Sequence, residues 1–164
     1  MELYPWIVLI HVVGAFMFVA SHGVAMWMVA EIPRQKDPKR IEALLDLSSA
    51  SLTGVYVGLL LLLIGGIWAG IAAGHFARLW IWAAIVVLVA IIILMYVVAT
   101  PFFKNLRIAL GQRTMGLAKD APDPVAAPES EILAIASRTP AAMLSAIGFG
   151  GLLIILWLMV LKPF

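Results

Sequence analysis

The chemistry open to this chain rests on its histidines. His11 and His22 stand in one uncharged stretch near the N-terminus, and His75 lies in a short break between two later apolar stretches. On a helix the first two are about 16.5 Å apart along the axis and only about 20° apart around it. They therefore share a face, in a stripe with Ala15, Phe18 and Ala25. An imidazole at bilayer depth turns toward protein, because lipid cannot hydrogen-bond it. Three uses of such residues stay open. Imidazole is the usual axial ligand of haem, and glycine opposite a histidine leaves space for the macrocycle. His22 and Met26 are one helical turn apart, with Met17 and Met95 within reach, which suits copper. Alternatively, His22 is a packed residue hydrogen-bonded by Tyr56 or Ser145. The chain has no cysteine, so thiolate metal sites, disulfides and thiol catalysis are excluded.

The elements that must position these residues follow from hydropathy. Of 164 residues, 64% are hydrophobic and 12% charged, the latter roughly half the share of a soluble domain. Mean hydropathy is +1.08. No Asp, Glu, Lys or Arg occurs in residues 3–30, 47–77, 79–103 or 140–161. Each run exceeds the ~20 residues a helix needs to cross the hydrocarbon. The expected fold is all-α: a four-transmembrane-helix bundle with cytoplasmic helical extensions, forming one domain over 1–164. Its spans fall at about 5–31, 50–73, 79–101 and 140–161. The first stretch lacks a basic start and is too long for a cleaved signal core. Nine Lys and Arg lie in the loops after the first and third spans, against Arg78 and Lys162 on the other side. The positive-inside rule then places both basic loops in the cytoplasm and both termini outside.

Asp37-Pro38 reads as a cap followed by proline at the first helical position, opening one helix over 38–73. The third span is expected to continue past Pro101, with a kink, to about Leu117. A linker with three prolines spans 120–128, and a short amphipathic helix covers 129–137. Thr139-Pro140 repeats the cap-and-proline start for the fourth span. Gly54, Gly58, Gly65, Gly66, Gly70 and Gly74 give the second span the small-xxx-small spacing of close helix packing, and the fourth carries Ser145, Gly148 and Gly151. Depth matching puts Thr53, Tyr56, Met95, Tyr96, Met143 and Ser145 level with His22. Gly65 and Gly66 fall level with His11.

No span carries an internal charge, so carboxylate proton relays and charged voltage sensors are unavailable, and a transporter would need an oligomer. The basic residues flank apolar spans rather than forming a nucleic-acid surface, despite a pI near 9.2.

The run Leu9-Ile10-His11-Val12-Val13-Gly14-Ala15, with Ser21-His22-Gly23-Val24, Asp37-Pro38-Lys39-Arg40-Ile41 and Gly65-Gly66-Ile67-Trp68-Ala69-Gly70, carries a resemblance. The chain resembles an uncharacterised bacterial four-helix integral membrane family, itself similar to the copper-resistance D domain and the membrane-bound protoporphyrinogen oxidase. The resemblance implies a histidine-bearing first helix and haem or copper traffic, with the oxidase's haem-binding histidine mapping onto His11. Where the copper domain has a tryptophan-glycine-glycine run, Phe16-Met17-Phe18 stands here.

Residues and resemblance together give the expectation of a multi-pass protein of the bacterial cytoplasmic (inner) membrane that binds haem b in a redox or haem-handling role. His11 and His22 are the expected metal ligands, with His75 and Met26 as lesser candidates. Gly65, Gly66, Tyr56 and Met95 complete the cofactor surroundings. The alternatives are a copper-handling protein, or a non-catalytic membrane module whose basic extensions dock a partner or anionic lipid. The expected partners are the lipid bilayer and either a second copy or a redox partner, not nucleic acid. No catalytic residue is assigned.

Overall fold

The computed structural model describes residues 3–114, 117–118, 120 and 122–164. Helix α1 (Tyr4–Glu31) passes through a 3-10 turn, Ile32–Arg34, to α2 (Pro38–Ala72). A second such turn, His75–Ala77, leads to α3 (Leu79–Ala109), and α4 (Glu129–Ser137) follows as a short helix. The fourth long helix, Ala141–Leu161, consists of α5 (Ala141–Ser145), a π-helical turn (Ala146–Gly150) and α6 (Gly151–Leu161). The four long helices are long and apolar enough to cross a membrane, and the chain is a multi-pass membrane protein. Burial runs opposite to that of a soluble protein. At most 17% of each span's most apolar stretch is buried; the remaining apolar surface faces outward, where lipid is its natural solvent.

Local chemistry sets the helix ends. Asp37 caps α2, accepting a hydrogen bond from the Lys39 backbone N–H at 2.9 Å, with Pro38 in the first turn as expected. α3 runs through Pro101 but stops at Ala109, short of the expected Leu117. Gly111 takes a left-handed φ of +77° and turns the chain back, so that the Ala127 N–H reaches the Ala109 carbonyl at 2.8 Å. Thr139 does not cap the fourth span. Its hydroxyl donates back to the Ala136 carbonyl at 2.6 Å and closes α4 instead.

α1 and α2 form a hairpin whose backbones touch. A methyl group built on Gly58 would lie 2.5 Å from the Phe18 nitrogen. One on Gly65 would lie 2.6 Å from the His11 nitrogen, and one on Gly14 would lie 2.8 Å from the Leu61 carbonyl carbon. The small residues thus bring the helices within backbone contact, as small-xxx-small spacing predicts. α3 packs on α6, where Gly151 receives Ile91. Beyond the spans at the basic-loop end, the extensions of α2 and α3 join α4 around Ile32, Ile41, Leu45, Leu106, Ala109, Ile132 and Ala136. Arg107 ties that layer together. Its guanidinium donates to the Leu45 carbonyl at 2.6 Å, Ser49 Oγ at 2.9 Å, Asp46 at 3.1 Å and Gln112, which in turn reaches Glu42 at 2.9 Å.

Candidate functional site

The two α1 histidines share a side of the helix but meet different neighbours. His11 lies over the glycine pair of α2. Its Nδ1–H donates to the Leu62 carbonyl at 2.8 Å. A methyl group on Gly66 would stand 2.8 Å from that nitrogen and 3.0 Å from Cε1. The space that Gly65 and Gly66 leave is therefore occupied by His11 itself, backbone against Gly65 and ring against Gly66. With Nδ1–H engaged by a carbonyl, the neutral form of the His11 ring carries its lone pair on Nε2, the tautomer a metal-ligating imidazole adopts.

His22, about three turns further along the same face, meets the fourth long helix. Nε2 lies 2.8 Å from where a Gly148 methyl would stand, and the Met95 terminal methyl is also 2.8 Å from that point. Met26 Sδ is 3.6 Å from it. One imidazole nitrogen and two thioether side chains, carried on α1 and α3, thus converge on a bare backbone position. The ring is fixed from two sides. Phe18 stacks on it with centroids 5.6 Å apart and planes 6° apart, and Phe149 meets it edge-on at 6.4 Å. Met26 in turn belongs to a buried cluster with Val29 and Leu144, backed by Met95, Val98 and Ala99. Position thus follows from the fold: the α1–α2 hairpin fixes α1, and α3 brings Met95 in.

Gly148 belongs to the π-helical turn. Such turns are rare and concentrate at functional sites. Gly148 itself is buried, and any larger residue would fill the point where His22, Met26 and Met95 meet.

Other expected residues are not brought together. Tyr56 stands 65% exposed on α2 and makes no hydrogen bond or ring contact with His22; Tyr96, at 70%, also faces outward. Met143 and Met17 are exposed on their helices. His75 stacks edge-on against Trp80 at 5.2 Å, in the turn before α3, and makes no hydrogen bond or ring contact with His11. No group of three or more His, Asp or Glu able to hold a metal occurs among the described residues.

No family model, curated protein or solved structure matches this chain. Of the resemblance drawn from its short motifs, the four-helix apolar membrane architecture is what the structure supports.

Proposed function

We propose that this multi-pass membrane protein holds a soft monovalent metal ion, Cu(I) by preference, between His22, Met26 and Met95. The observation that carries this reading is the convergence of His22 Nε2, the Met26 sulfur and the Met95 thioether end on Gly148. Thioethers and imidazole suit Cu(I), whereas hard cations require oxygen. Methionine is flexible enough to turn its sulfur inward without moving its helix. The role is handling or sensing of the ion; no residue here is assigned to catalysis.

The test is binding of Cu(I) under reducing conditions to the full chain in detergent. One equivalent is expected, with His22→Ala, Met26→Leu and Met95→Leu each weakening it at least tenfold while His75→Ala leaves it unchanged. Equal binding by all four variants would overturn the proposal.

Haem b remains a second reading, favoured by one observation: the carbonyl-anchored Nδ1 of His11 leaves Nε2 as a ready lone pair. That haem would have to lie outside the α1–α2 contact. A Soret band that His11→Ala removes and His22→Ala spares supports this reading over copper.

A further inference from the structure

From the end of the molecule opposite the basic loops, we infer a binding site for one anionic phospholipid. Two hollows lie side by side there. The first, about 590 Å³, is lined by Gly74, His75, Arg78, Trp80 and Lys162 among others. The second, about 1010 Å³, is lined by Leu3, Tyr4, Pro5, Ile7 and Trp68, and the two meet at Ala73.

Arg78 and Lys162 are the only Lys or Arg outside the basic-loop segments. They come from distant parts of the chain, one before α3 and one after α6, yet they line a single hollow. Neither makes an ion pair among the described residues, and no Asp or Glu among those residues lines the hollow. Lys162 adopts a left-handed backbone, with φ at +45°, at a helix end where glycine is usual. Its ammonium lies over the Trp80 ring, 5.5 Å from the centroid, and His75 meets the same ring from another side. Two cations without an ion pair among the described residues thus face a cup, and an apolar trough flanked by Tyr4 and Trp68 runs from its rim. A phosphodiester with an acyl chain fits both halves. Free phosphate would use only the cup, and a zwitterionic lipid would gain less from Arg78 and Lys162, because its own ammonium offsets its phosphate. Tyr and Trp at this level are the residues that favour the headgroup region.

The test is native mass spectrometry of the full chain in nonionic detergent, titrated with phosphatidylglycerol, phosphatidylcholine or inorganic phosphate. One phosphatidylglycerol is expected to bind in preference to phosphatidylcholine. The double variant Arg78→Gln/Lys162→Gln should weaken it about thirtyfold, from roughly a factor of five per cation near a membrane surface. Trp68→Ala should weaken phosphatidylglycerol too, through the trough. If the double variant melts early, each single substitution is read instead, with about a fivefold loss expected. A double variant that keeps its preference overturns the site. Displacement of phosphatidylglycerol by equimolar inorganic phosphate overturns the lipid and leaves a free-anion pocket.

Discussion

A methyl group added at glycine should cost very different amounts along this bundle, and the geometry ranks the positions. Gly65→Ala puts its methyl 2.6 Å from the His11 nitrogen and 2.9 Å from its Cα. Carbon atoms rest about 3.5–4.0 Å apart, so two backbones must separate by about 1 Å. No flexible side chain can yield in their place. The hairpin also touches backbone to backbone at Gly14 and Gly58, so it cannot hinge open at one level and stay closed at the next. Overpacking costs about 1–3 kcal/mol, and the upper end applies here. At Gly148 the obstacles are side-chain ends. Met95 can swing away, but His22 is held by Phe18 and Phe149, so the cost should be nearer 1 kcal/mol. At Gly23 and Gly150 nothing lies within 4 Å, and alanine should be neutral or stabilise by up to about 1 kcal/mol, its helix-propensity gain over glycine. Unfolding in mixed micelles, followed by circular dichroism, gives the ranking directly. Equal stability for Gly65→Ala and Gly23→Ala would refute the backbone contact and leave the α2 glycine face open to lipid or ligand.

Two further outcomes test the frame around the site. From the distribution of Lys and Arg, tags inserted after Lys36 and fused to the C-terminus should report opposite sides of the membrane; the same side for both would reverse the topology. Arg107→Met should cost about 2–3 kcal/mol, because it abandons a backbone carbonyl, Ser49 and Gln112 together. Asp46→Asn should cost under about 1 kcal/mol, since Asp46 is 60% exposed and Arg107 keeps its other acceptors. Thermal melts that place the two variants together would contradict that division.

Hydropathy made the spans legible, because a charge-free run of that length has few other uses. The Asp37-Pro38 start and the Glu129–Ser137 helix were equally readable from caps and composition. Gly111 was the visible stop signal for α3, but the basic amphipathic run beyond it suggested continuation to Leu117. Depth matching correctly put Gly65 and Gly66 beside His11 and Met95 beside His22. It failed for Tyr56 because depth fixes height, not direction. Tyr56 is two residues from Gly58, about 200° around the helix, so the glycine face that meets α1 already turned it outward. The π-helical turn left no such signal. It is a choice among backbone geometries close in energy, decided by packing of the fourth helix against α1 and α3, and no single residue in residues 146–150 demands it.

The strongest consequence of the His22 site concerns charge rather than ligand number. Imidazole and two thioethers are all neutral, and no Asp or Glu occurs in residues 3–30 or 79–103, the stretches that carry them. An ion bound there keeps its full charge in a poorly polarisable surrounding. The cost of moving it from water rises with the square of that charge, so a dication would face about four times the penalty of a monocation. Zinc(II) recovers that cost from thiolates, carboxylates or several imidazoles, and this site offers one imidazole and two thioethers. Silver(I), redox-inert and soft, should therefore bind the full chain in detergent at one equivalent, and His22→Ala should abolish it. Zinc(II) at tenfold excess should not displace it. The same logic predicts that Met26→Glu, by adding one negative charge to the pocket, shifts the preference toward zinc(II). Competition read by elemental analysis after gel filtration decides the matter. Zinc(II) bound by the unaltered chain as readily as silver(I) would mean that the ion sits somewhere other than between His22, Met26 and Met95.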